Sequence, residues 1–215
     1  MARFLAPATT GMYRVNFDAL DGDMMQVSFA EPVPEPLHTP LGVLRPRSGY
    51  GGGAPVSTAH LPTKMRVSGR GARLVDFNTA YHIFLVNRRF IDVVERFQND
   101  VQYVPVECLW NDGSSAGEYF FFFTTVMLDA VIREQTTATW LSIPTRAGGG
   151  AWSAESLWGA TFAFDKARMG DTHMWVDPNM TTAGALVSEA LYAALRDANI
   201  EAFQDSPAFA EIQLR

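Results

Sequence analysis

Residues that commonly carry chemistry are sparse in this chain, and their spacing builds no recognisable reaction centre. The histidines, His38, His60, His82 and His173, form no i, i+3 or i, i+4 pair and have no acidic residue at metal-ligand spacing on a shared helix, so no zinc motif is present. His82, inside an apolar strand, reads as a core or edge histidine. The single cysteine, Cys108, lies in the apolar run 104–110, which excludes an intrachain disulfide and suits a small buried hydrophobe in a reducing compartment. A nucleophilic serine on a sharp turn needs Gly-x-Ser-x-Gly; the nearest run, Val67-Ser68-Gly69-Arg70-Gly71, lacks the first glycine. Gly49 to Ala54 imitates a dinucleotide fingerprint, but prolines crowd it and no amphipathic helix follows to offer amides to a phosphate. Asp92 and Glu95, beside Arg88, Arg89 and Arg96, suit an ion-paired helix face; Asp18, Asp21 and Asp23 suit turns rather than a calcium loop. No catalytic, cofactor-binding or metal residue is assigned.

Contact chemistry is better represented. The tryptophans at 110, 140, 152, 158 and 175 fall near loop edges. Trp152 stands among glycines and small polar residues, while Trp110 neighbours Asp112 and Trp175 neighbours Asp177. Aromatic anchors beside acidic rims are what protein interfaces use, so Trp110, Asp112, Glu118, Trp152, Trp175 and Asp177 are the candidate partner-binding positions.

Charge narrows the partner class. The net charge is −6, but residues 44–73 carry six basic and no acidic side chains, whereas residues 74–215 carry nine basic and eighteen acidic ones. An acidic body repels polyanions, which makes nucleic acid an unlikely partner; the basic segment 45–73 (Arg45, Arg47, Lys64, Arg66, Arg70, Arg73) reads as a loop docking on that body, with nucleic-acid binding as the alternative. A small enzyme of unrecognised class is the other alternative. No secretory leader is read near the start, and no apolar run reaches the length of a membrane helix, so a cytoplasmic protein with no membrane partner is expected.

The elements that must position these residues read as an α+β fold: a mixed, mainly antiparallel sheet covered by two main helices, with an irregular Pro/Gly-rich N-terminal portion. Residues 1–75 are expected as an irregular arm or subdomain with a flexible loop at 47–62, and residues 76–215 as the α+β domain. Tyr13–Phe17 and Met25–Phe29 suit a hairpin around Asp21-Gly22-Asp23. Tyr81–Val86 leads through the capping Asn87 into a helix over 88–98, whose Phe90, Ile91, Val94 and Phe97 share one face. Val101–Leu109 and Glu118–Val126 are strands joined through Asp112-Gly113, with Asp129–Thr136 pairing next. A Gly-rich loop at 147–152, a strand over Leu157–Phe164, a turn over Asp165–Asp171 and a short extended piece at 173–176 follow. Leu186 to Ser188 then restates the strand-and-cap unit before a helix over 189–198 and a last strand at 200–203.

Phe84 to Asn87, Val101 to Val106, Trp110 to Gly113, Glu118 to Phe120, Thr161 to Lys166 and Leu186 to Glu189, in that order, resemble the "immunity eleven" family of bacterial polymorphic-toxin immunity proteins. The resemblance covers about residues 80–205, with Asn87 where members often carry serine. It implies a cytoplasmic protein made beside a secreted antibacterial toxin, often one delivered by a type VI apparatus, that binds the toxin and protects the producing cell. It implies no catalytic residue and no cofactor. Self-association stays open.

Overall fold

A computed structural model describes residues 2–5, 15–23, 37–39, 42–44, 53–69, 72–80, 83–97, 100–143, 149–157, 160–180 and 185–201. In chain order the elements are β1 (Ala2–Phe4), β2 (Asn16–Ala19), β3 (Leu37–Thr39), β4 (Gly42–Leu44), β5 (Lys64–Ser68), β6 (Phe77–Ala80), β7 (Ile83–Val86) and α1 (Arg88–Val94). They continue with β8 (Val101–Trp110), β9 (Ser115–Thr124), β10 (Trp140–Ser142), β11 (Gly150–Trp152), α2 (Ala154–Leu157), α3 (Lys166–Met169), β12 (Met174–Trp175), β13 (Leu186–Ser188) and α4 (Glu189–Asp197). The architecture is α+β: a six-stranded sheet in the order β2-β5-β8-β9-β7-β6, antiparallel throughout except for the parallel pair β5/β8.

Alternation along the strands builds a core on each face of this sheet. Met65, Val67, Ile83, Leu85, Val106, Cys108 and Phe121 face one side with Phe17, Val56 and Leu61. Phe77, Val86 and Phe122 face the other, where Phe90, Ile91 and Val94 of α1 and Leu191, Tyr192 and Leu195 of α4 cover them. Phe90 stacks on Phe77 with centroids 5.1 Å apart and meets Phe122 edge-on at 5.5 Å. Burial pushes the Cys108 thiol up to about 12, so it is held as an inert hydrophobe.

The two helices start as the cap chemistry dictates. Phe90 N donates to Asn87 Oδ1 and Leu191 N to Ser188 Oγ, each at 3.2 Å. The strands ahead of them lie in different sheets, β7 in the large one and β13 in a three-stranded sheet ordered β1-β13-β12. The pair is locked by Asp76, 6% exposed, which accepts from Asn87 Nδ2 at 2.7 Å, Arg89 Nη1 at 2.9 Å and Glu201 N at 2.8 Å.

Several expectations give way to longer-range pairing. β2 pairs with β5, because Asp21 turns the chain onto that strand by accepting from Thr63 N at 2.8 Å and Lys64 N at 3.0 Å. Met25–Phe29, the expected partner, lies outside the described residues. β2 and β5 therefore belong to the same sheet as the strands after residue 75, and within the expected loop at 47–62 Ala54, Val56 and Leu61 are buried. Helix α1 ends at Val94, short of Gln98. Asp129–Thr136 pairs not with β9 but, through the isolated bridge Val131↔Phe164, with a later segment, and Met127 just ahead of it bridges to Val176. Residues 150–152 form β11 against β10, and of the strand expected over Leu157–Phe164, Leu157 ends α2, residues 160–164 carry only the single bridge at Phe164, and residues 158–159 lie outside the described residues. Asp165 caps α3 by accepting from Ala167 N and Arg168 N. Ile200 and Glu201 are not in a strand, and Phe203 lies outside the described residues.

Removing the lock should loosen both helices together. Asp76→Ala is expected to cost about 3 kcal/mol in urea denaturation, the low end for breaking a buried pair because Arg89 keeps water access, and Asn87→Ala about 1 kcal/mol. Equal losses for the two variants would contradict the role given to Asp76.

Candidate functional site

Two recesses bring polar and aromatic side chains to the surface, one on the long hairpin and one beyond it. The hairpin β8–β9 turns at Trp110 to Ser114, with Gly113 in the left-handed region at φ 82° and Gly113 N donating to Trp110 O at 2.9 Å. Asp112 Oδ1 accepts from Ser114 Oγ at 2.6 Å and Ser114 N at 2.9 Å, and these bonds hold its exposed carboxyl below the usual range. Trp110 is half-buried, packed against the sheet core. Below the turn Glu107 and Glu118 stand directly opposite each other, a like-charge pair that costs stability across strands. Lys64, one strand over, pairs with Glu107 at 3.0 Å, and Glu118 makes no ion pair among the described residues. Both glutamates line a shallow groove of about 480 Å³ with Thr63 and Pro105.

The second recess is assembled after β9 by chain that pairs irregularly. Ile132 N donates to Ala163 O, Asp165 N to Ala130 O and Leu128 N to Val176 O, at 2.8, 2.8 and 3.0 Å, which lays residues 126–132 between the segments at 163–165 and 176. The β10–β11 hairpin closes one wall by pairing Trp140 with Trp152, whose rings meet edge-on at 5.1 Å. A side chain at Gly150 would strike the Trp140 ring within 2.6 Å, so glycine lets that ring lie against β11. The result is a cleft of about 350 Å³ whose lining includes Asp129, Arg133, Trp140, Trp152, Arg168 and Asn179 together with Glu134 and Asp165.

Its polar groups are fixed in place. The Arg133 guanidinium lies 3.6 Å over the Trp140 ring, a cation–π contact that orients it. Arg168 Nη1 donates to Asp129 O at 3.2 Å, and Asn179 Nδ2 donates to Asp129 Oδ1 at 3.3 Å. Burial pushes the Asp129 carboxyl above its ordinary value, outweighing Arg168, Arg133 and the Asn179 bond, which pull it down.

Of the positions expected from sequence, the structure places Trp110, Asp112 and Glu118 on the β8–β9 hairpin, Trp110 on the face that packs against the core, Asp112 at the turn and Glu118 on the opposite face. Trp152, 3% exposed, forms the cleft's inner wall; Trp175 and Asp177, 0% and 2% exposed, are buried and have no surface to offer a partner. Trp175 fills the core through Phe164, 5.7 Å away, and Asp177 Oδ1 caps the turn by accepting from Asn179 N. In the basic segment, Lys64 pairs with Glu107 and Arg73 with Glu201, as docking on an acidic body requires. Arg45, Arg47, Arg70 and His82 lie outside the described residues. Asp92 and Glu95 both pair with Arg88, the solvated helix face expected of them. Asp129, Arg133, Trp140, Arg168 and Asn179 went unmarked in sequence; the only signal among them was Trp140, seven residues after Arg133 with no periodic element between.

Among the described residues no group of three or more His, Cys, Asp and Glu side chains is placed to hold a metal ion, and no helix is long and apolar enough to cross a membrane. The fold and its recesses thus describe an α+β protein that offers surfaces for contact. The model of the immunity protein family (Imm11) matches residues 35–208, and the chain belongs to that family. The match begins well before residue 80 and takes in β5, in keeping with that strand's place inside the sheet. A comparison with curated proteins finds no match.

A raised carboxyl in the cleft has a measurable signature. Because Asp129 titrates higher in the fold than in the unfolded chain, ionisation is penalised in the fold, and wild-type stability falls as pH rises from the usual carboxylate range through the raised value. Asp129→Asn, which does not ionise, is expected to gain stability relative to wild type between about pH 3 and about pH 7 in urea denaturation. A stability difference independent of pH would contradict the burial of this charge.

Proposed function

We propose that this protein neutralises a cognate antibacterial toxin by binding it one-to-one and covering the toxin's active site or substrate groove. The observation that carries the reading is the family match over residues 35–208. Immunity by occlusion asks for surface and not for a reactive cluster, so the role is that of an inhibitor without catalysis, exercised in the cytoplasm of the producing cell against a toxin of a type VI or other polymorphic system.

The hairpin supports this reading. Asp112 at the turn and Glu107 and Glu118 below it put acidic groups on exposed positions of the hairpin, with Trp110 packed on the opposite face, and Glu107 and Glu118 keep an opposed pair whose like charges cost stability. Acidic groups at the rim of an interface speed association with a basic surface more than they deepen affinity. A nuclease's basic cleft is the kind of surface they fit.

The test mixes purified protein with the toxin encoded beside it and follows complex mass and toxin activity. A one-to-one complex with loss of toxin activity is expected. Asp112→Asn with Glu118→Gln should slow association about tenfold at low salt, with the difference shrinking at high salt. Absence of a complex, with the toxin fully active, would overturn the reading.

A further inference from the structure

The cleft beyond the hairpin holds more unmet polar chemistry than a packing seam requires. Arg133 makes no hydrogen bond or ion pair among the described residues; Trp140 holds its guanidinium flat and leaves its donors free. Beside it Trp152 Nε1, a donor, and Asn179 Oδ1, an acceptor, are buried without partners on residues 3% and 2% exposed. On the cleft floor Asp129 Oδ1 takes the Asn179 amide, while Oδ2 accepts no hydrogen bond among the described residues. Each buried group left unmet costs about 1–3 kcal/mol, and such groups are rare enough in folded proteins that a cluster around one recess calls for a reason.

The signs of these groups choose the guest. Arg133 and Trp152 ask for an acceptor oxygen, and Asp129 and Asn179 ask for an N–H. A cation would meet the acceptors but stand against Arg133 and Arg168. A carboxylate or phosphate would suit Arg133 but face Asp129, Glu134 and Asp165 in a cleft whose lining sums to one negative charge. A neutral amide meets both demands. Tryptophan and arginine around a recess are the composition of an interface hot spot.

We propose that this cleft is the anchor site for the toxin, receiving a loop that inserts an amide, from its backbone or from an Asn or Gln side chain. The amide's carbonyl oxygen accepts from Arg133, and its N–H donates to Asp129 Oδ2. Trp152 Nε1 and Asn179 Oδ1, lying deeper, are reached through a bridging water or a shift of the Arg133 side chain. The acidic groups of the hairpin then guide approach and the cleft sets how long the partner stays. This inference rests on the reading that the protein binds a toxin.

The experiment measures the dissociation constant for the toxin by titration calorimetry at low and high salt, with far-UV circular dichroism confirming each fold. Arg133→Gln and Trp140→Ala are each expected to weaken binding about 30-fold or more, the loss at a hot spot. Asp129→Ala should match them, whereas Asp129→Asn, whose one oxygen meets the guest N–H while its new NH2 donates to Asn179 Oδ1 once the Asn179 amide turns over, should stay within about threefold of wild type. The Arg133→Gln loss should persist at high salt, because the guest is neutral. If wild type binds and the cleft variants bind equally well, the anchor site is wrong and the toxin reading stands. If Asp129→Asn loses as much as Asp129→Ala, the guest is a cation; if the Arg133→Gln loss vanishes at high salt, the guest is an acid. Either result overturns the amide. A wild-type protein that does not bind the toxin removes both proposals.

Discussion

The buried carboxylate of Asp76 is the constraint from which the rest of the arrangement follows. Taken out of water, a carboxylate is tolerated only if its lone pairs are met, and Asp76 meets them with the Asn87 amide, the Arg89 guanidinium and the Glu201 backbone N–H. Those three partners come from the start of α1, its first turn and the chain just past α4. One side chain at the head of β6 thereby ties the start of α1 to the chain just past α4. Arg89 adds a bond to Ala198 O at the C-terminal end of α4, so the two helices are tied to each other as well as to the strands.

With α1 and α4 held over β6, β7 and the inner part of β9, their face of the sheet is covered at one end and open at the other. On the open end, side chains of β5, β8 and β9 that point away from the core meet water: Lys64, Glu107 and Glu118 in one cross-strand row. Past β9 a separate core gathers Trp152, Phe162, Phe164 and Trp175 into a line of ring contacts, and the cleft lies over it. The Asp76 lock and the phenylalanine stack thus stabilise one end, while the opposed glutamates and the half-buried Asp129 lie elsewhere. Departures from local consistency of this kind mark the working parts of proteins.

How much of this could be read from the sequence follows from how local each signal is. Asn87 and Ser188 were legible as caps because a cap needs only its own side chain and an amide three residues on. The β8–β9 hairpin was legible because Asp112-Gly113 sits between two long apolar-rich runs, and Cys108 as a buried thiol because its neighbours are apolar. The parallel β5/β8 pair was not, since Lys64 meets Glu107 across a long crossover that no short window contains. The strand expected over 157–164 failed for the same reason: its apolar residues fill a core without a neighbouring strand to pair along. Trp175 and Asp177 were read as surface because a tryptophan beside an acid fits an interface, and nothing local revealed that both are enclosed. Of the cleft only Trp152 was marked. Asp129, Arg133, Trp140, Trp152, Arg168 and Asn179 come from separate turns, from β10 and β11 and from helix α3, which only tertiary pairing brings together.

The central claim is that this protein acts through two exposed surfaces, the acidic end of the β8–β9 hairpin and the cleft beyond β9. Hydrogen–deuterium exchange on the protein with and without its toxin tests that most directly. The account predicts slowed exchange in the toxin-bound state at the turn 110–118 and around the cleft at 129–140 and 150–152, with the outer faces of α1 and α4 unchanged. Protection confined to those helices, or none outside the buried strands, would contradict it.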